Sequence, residues 1–144
     1  MKINGLLLPE YLVELVSQGK WQKPIDHTKL SLITGSKKAA DFSLLSPESM
    51  ESNTRQCYHL IDKGFGEIYR IASSSRSRQP INDDPGILDV DFGVLLAINW
   101  DEEVISLDYR RSVDMPCVIA MVEPFEKWNI IAPDFKSFAD QIGL

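Results

Sequence analysis

The sequence has 144 residues, 44% of them hydrophobic and 25% charged, with a net charge of −6; chains of this size bury roughly 68–70% of their unfolded surface, so one domain spanning 1–144 needs no staple. Cys57 and Cys117 sit in separate apolar stretches with no CxxC or Cys/His spacing, which points away from a disulfide or metal site and toward buried free thiols in a reducing compartment. Only Leu6, Leu7 and Leu8 form an apolar run before Pro9, too short for a signal peptide, and no later run approaches the ~20 apolar residues of a membrane span, so the expectation is a cytoplasmic protein.

Pro9 opens a first helix, with Glu10 complementing the dipole in the first turn. Tyr11, Leu12, Leu15 and Val16 give it one apolar face, Gly19 stops it, and Trp21 is expected to fold back over its end. From Pro24 to Ala40 the periodicity is weak: Leu30, Leu32 and Ile33 need packing partners and Thr34-Gly35-Ser36 reads as a turn. His27 lies here without a nucleophile nearby and reads as a surface histidine. The Gly-Ser-Lys-Lys run lacks the spacing of a phosphate loop. Phe42 to Leu45 suits a short strand. Ser46 then caps a second helix with Pro47 at its first position, running to Lys63, with Met50, Cys57, Leu60 and Ile61 inward and Gly64 as the stop.

Glu67 to Ala72 reads as a strand, and Ser73 to Gly86 as a polar, mobile loop. The stretch from Asp89 to Arg111 is the centre of the fold. Phe92, Val94, Leu96, Ile98 and Trp100 alternate on one face of a strand, while Leu95 and Ala97 make the middle of the other face apolar, as in a central strand. Asp101, Glu102 and Glu103 form a turn, and Ile105, Leu107 and Tyr109 resume the alternation, which is a hairpin. Cys117 to Val122 is a further inner strand and Trp128 to Ile131 a last one. Asp134 caps a closing helix carrying Phe135, Phe138 and Ile142. Phe92, Leu96, Ile98, Leu107, Ile119, Ile130, Phe135 and Phe138 are the expected shared core. The fold class is α+β, a single domain with a central, mainly antiparallel sheet and helices packed on one face.

Four stretches in this order resemble the SUKH superfamily, the Smi/Knr-like proteins. They are Leu8-Pro9-Glu10, Ser46-Pro47-Glu48, Ser106-Leu107-Asp108-Tyr109-Arg110, and Ile131 to Phe138. Together they span nearly the whole chain. The turn at Asp101-Glu102-Glu103 departs from the family, whose members commonly carry glycine there, and Asp134 stands where serine is common. The resemblance implies a mixed α+β fold and a non-enzymatic role. Bacterial members are mostly immunity proteins that silence a toxin domain, often a nuclease or deaminase, and fungal members are interaction modules in cell-wall and signalling control. It implies no catalytic position and no cofactor.

The charges suit a protein partner. Residues 83–144 carry thirteen acids against four bases, and from Asp83 to Tyr109 there are eight acids and no base. Phosphate binding needs Lys and Arg, so nucleic acid is not the expected ligand, whereas a basic toxin domain is complementary. The candidate partner-binding residues are Asp83, Asp84, Asp89, Asp91, Asp101, Glu102 and Glu103. The alternatives are a regulatory interaction domain and, more distantly, a hydrolase with Asp89, Asp91 and Asp108 around a divalent metal. No metal site is expected, and neither histidine stands in a nucleophile motif.

Overall fold

In the computed structural model, which describes residues 1–22, 25–77 and 85–144, the chain begins with a tight hairpin. Strands β1 (Lys2–Ile3) and β2 (Leu6–Leu7) are joined by Asn4 (φ 54°) and Gly5 (φ 75°). Two successive left-handed residues turn the chain in the sense that suits strand twist, and Asn-Gly accepts that conformation readily. Helix α1 (Glu10–Ser17) follows, with Leu12 and Leu15 buried. Trp21 folds back as expected: it is buried, its indole N–H donates to Leu45 O at 2.7 Å, and its ring lies 5.6 Å from that of Phe135.

The weakly patterned stretch after Pro24 contains helix α2 (His27–Thr34), with His27 as its exposed first residue. Its ends carry the signal that its middle lacks. Asp26 accepts the Lys29 backbone N–H at 3.0 Å, and Gly35 closes the helix in the left-handed region. Strand β3 (Ser43–Leu44) leads to helix α3 (Pro47–Asp62), whose cap Ser46 accepts from the Ser49 N–H and whose buried face carries Met50, Thr54 and Cys57. The strand expected over Glu67–Ala72 shrinks to β4 (Ile71–Ala72), parallel to β5 (Leu88–Asp89). Arg70, at φ 54°, interrupts the extended backbone just before it.

The main sheet has the order β3-β6-β7-β8-β9, with β6 (Gly93–Ile98), β7 (Val104–Asp108), β8 (Cys117–Met121) and β9 (Asn129–Ala132), and every neighbouring pair is antiparallel. Helix α4 (Phe135–Gln141) closes the chain, with Asp134 accepting the Ser137 N–H at 2.7 Å. It lies beside α1: the Tyr11 hydroxyl donates to Leu144 O, and the Tyr11 and Phe135 rings are 6.3 Å apart. This is the α+β domain, with a mainly antiparallel sheet, that the sequence implies. Both alternations of β6 are buried from Gly93 to Ala97, as befits an inner strand. Both cysteines are buried and are not joined in a disulfide. No helix among the described residues is long and apolar enough to cross a membrane.

The expected core is right at Leu96, Leu107, Ile119, Phe135 and Phe138, all buried. Ile98 is partly buried and packed against it, and the expectation fails at Phe92 and Ile130. A β-bulge between Leu95 and Ala97 shifts the register, so Val94 faces Leu107 and Ala97 faces Ile105, while Leu95 faces Ser106 and Ile98 faces Val104. The extra residue is Leu96, and past it Ile98 joins the face of Leu95 rather than that of Val94. Ile98 is therefore half-buried, and Trp100, beyond the end of the strand, is exposed. Phe92 belongs to a short 3-10 turn (Val90–Phe92) instead of the strand and is 37% exposed. Ile130 is displaced by a second bulge, opposite Val118 and Ile119, and is 38% exposed.

Candidate functional site

The structure sorts the sequence's acidic block into anchors and exposed groups. Asp83 and Asp84 lie outside the described residues. Asp89 is buried and accepts the backbone N–H groups of Asp91 and Ser74, at 3.1 and 3.3 Å. Asp91 is half-buried and accepts from the Tyr58 hydroxyl (2.6 Å), the Ser73 and Ser74 hydroxyls (2.8 and 3.0 Å) and the Ser75 N–H (2.8 Å). Desolvation opposes its ionisation, but the hydrogen bonds from Tyr58, Ser75, Ser73 and Ser74 outweigh it and hold its pKa at about 2. Burial first, and then the bond to Asp91, pushes the Tyr58 hydroxyl up to about 12. The serines that begin the polar loop are thus tied to the sheet at residues 73–75, where the sequence suggests mobility. Asp89 and Asp91 hold the start of that loop in place.

Neither Asp91 nor Cys57 is poised as a base or a nucleophile. A carboxylate with a pKa near 2 is far too weak a base to take a serine proton at neutral pH. Burial raises the Cys57 thiol to about 11, which keeps it protonated and unreactive. Asp108, the remaining residue of the metal-site reading, is buried and accepts from the Arg110 Nε and Nη2 and from the Arg110 backbone N–H. Among the described residues no three His, Cys, Asp or Glu side chains are grouped to hold a metal ion.

At the other end of β6 the arrangement differs. The turn occupies Trp100, Asp101 and Glu102, one residue earlier than the sequence suggests, and Glu103 belongs to its base. Asn99 N–H donates to Glu103 O and Glu102 N–H to Asn99 O, both at 3.2 Å. Glu102 takes a left-handed φ of 65°, as the third residue of such a loop usually does. The Asn99 Oδ1 accepts from the Asp101 and Glu103 N–H groups at 3.1 and 3.0 Å. Glu103 is only 1% exposed. Its carboxylate accepts from the Ser36 hydroxyl (2.5 Å), the Asn99 Nδ2 (2.8 Å) and the Glu123 N–H (2.9 Å). A buried carboxyl group with three hydrogen-bond donors makes the turn a fixed platform.

On that platform Trp100 is 93% exposed, between the half-buried Asn99 and the exposed Asp101 and Glu102. Beside it a groove of about 310 Å³ runs between α3 and the sheet, with Leu60, Leu95, Ile98, Val104 and Met121 among its apolar walls and Asn53, Gln56, Asn99 and Glu102 among its polar residues. The Trp128 indole N–H is directed to Arg70 O at 2.8 Å, so this wall of the groove presents carbon rather than a donor.

Of the seven acidic candidates, then, Asp101 and Glu102 are exposed together, while Asp89, Asp91 and Glu103 are internal ligands of the fold. Trp100 is the residue that sequence alternation misplaces in the core. Its position next to three acids is the local signal that the strand has already ended. No protein-family model matches the chain, and no curated protein or solved structure gives a match either.

Proposed function

We propose that this chain is a non-enzymatic binding protein of the immunity type, which neutralises a basic toxin domain of the nuclease or deaminase class by docking through the β6–β7 turn. The observation that carries the reading is Trp100: a nearly fully exposed tryptophan on a turn fixed by the buried Glu103, flanked by Asp101 and Glu102. Exposing so large an apolar surface is unfavourable in the free protein, and tryptophan is among the residues that most often dominate binding energy when a partner covers them. A preorganised turn loses little conformational entropy on docking. The adjacent carboxylates complement a surface that must offer Lys and Arg to nucleic acid. The four stretches that resemble the SUKH superfamily and the α+β architecture support the same reading.

The test is a binding and inhibition assay against the toxin domain encoded by the neighbouring gene. The expected result is a stoichiometric complex that abolishes the toxin's activity, weakened at least tenfold by Trp100→Ala. Absence of a complex, or an unchanged Kd for that variant, overturns the proposal. Capture of a cell-wall or signalling protein through the same turn would transfer the site to the regulatory alternative.

A further inference from the structure

Resting on that reading, we infer that the groove beside α3 receives one lysine or arginine side chain of the partner, its aliphatic stem on the apolar wall and its cationic end at Glu102. The groove and the turn form one continuous surface, because Asn99 and Glu102 belong to both. Its walls supply carbon from Leu60, Leu95, Ile98, Val104 and Met121, and no Lys, Arg or His is among the residues that line it. A purely apolar guest would leave Gln56 and Glu102 facing it without partners, and an acidic one would meet the Glu102 carboxylate. Lysine and arginine alone combine a long apolar stem with a cation at its end.

The availability of Glu102 points the same way. Among the described residues Arg55, Arg76, Arg110 and Lys136 pair with Glu51, Asp62, Asp108 and Asp140. Glu102 takes part in no such pair, although it is exposed and sits at the groove. It also carries a side chain at a left-handed position where glycine would be unstrained. Strain kept at an exposed site beside a cavity is the pattern of a residue retained for what its side chain contacts.

The experiment uses the full chain, isotopically labelled, and follows the Met121 methyl and Trp128 indole N–H resonances at low salt. The probes are the blocked amino acids N-acetyl-lysine methylamide, N-acetyl-arginine methylamide and N-acetyl-norleucine methylamide, the last having lysine's stem without its charge. The expected result is that the cationic probes shift both resonances and bind about threefold or more tightly than norleucine. Glu102→Gln should abolish that preference and Asp114→Asn should leave it, since Asp114 is exposed in the loop after β7 and does not line the groove. Equal binding of the three probes, or shifts confined to Trp100 and Asp101, overturns the groove assignment. Because the toxin-binding assay of Trp100→Ala is read separately, a failed groove leaves the docking turn standing, and a failed turn is recognised by that assay alone.

Discussion

The Ser36 hydroxyl donates to the Glu103 carboxylate across 67 residues of sequence, joining the end of α2 to the base of the β6–β7 turn. With the bonds from Asn99 and the Glu123 backbone, three separate segments depend on one buried acid. Glu103→Ala should therefore destabilise the domain by about 2–3 kcal/mol, because it leaves buried donors without acceptors. Urea unfolding measures this. A change below about 0.5 kcal/mol, the range of ordinary surface substitutions, would show that water replaces the carboxylate. Ser36→Ala removes only one donor and should cost less.

Trp100 and Phe138 make opposite predictions from similar chemistry. Phe138 is 1% exposed, and its truncation to alanine should cost about 3–5 kcal/mol. Trp100→Ala should change stability by less than about 0.5 kcal/mol, since its side chain is already in water. Thermal melts of the two variants decide it, and a large loss for Trp100→Ala would place that indole in an intramolecular contact.

Glu102→Gly relieves the left-handed backbone. A non-glycine residue there costs of order 1–2 kcal/mol, partly offset by the greater freedom of glycine in the unfolded chain, so a net gain of about 0.5–1 kcal/mol is expected. The same variant should bind a basic partner more slowly, with a weaker dependence of the association rate on salt, because the carboxylate that steers the encounter is gone. Stability and association are measured on one preparation, and a gain in both would remove Glu102 from the binding surface.

Asp91 ties stability to pH in the acid range. Its pKa is lowered to about 2 from an ordinary 3.8, so the native state favours the ionised form and the stabilisation is complete above about pH 4. It is lost as the pH falls through about 2, and with solvent screening the contribution is about 1 kcal/mol. Asp91→Asn should be less stable than the parent at pH 7 and should show a shallower fall between pH 4 and 2. Parallel slopes for parent and variant would contradict the assignment.

The helix ends were legible in the sequence because capping is local. Ser46 and Asp134 cap where the sequence puts them and Gly64 follows α3, while Pro9 stands one position earlier than expected, just before the helix instead of as its first residue. The α2 segment shows what a local pattern can hide: Leu30 is buried while Leu32 is exposed, so no clear apolar stripe forms, yet Asp26 and Gly35 mark both ends. The hairpin at Asn4-Gly5 was missed, although the dipeptide is a local signal for one. The bulge at Leu96 was not legible, because the shift in register arises from pairing with β7 and with Leu45, whose N–H donates to Leu96 O. Nor does alternation show that the strand ends at Ile98, which leaves Trp100 in the turn and exposed. Likewise no count of charges separates Glu102 from Glu103, because burial of the second depends on Ser36 and Glu123, far away in the chain.

The contact between α1 and α4 brings residues near the two ends of the sequence together, through Tyr11, Phe135 and Leu144. Loop closure over so many residues can be rewarded only after the intervening sheet has formed, so these helices are expected to dock late in folding. Shortening the chain at its C-terminal end is consequently felt at its beginning: without Phe135 and Phe138, α1 and Trp21 would lose the aromatic rings they rest on, and a truncated product would expose apolar surface from both ends at once.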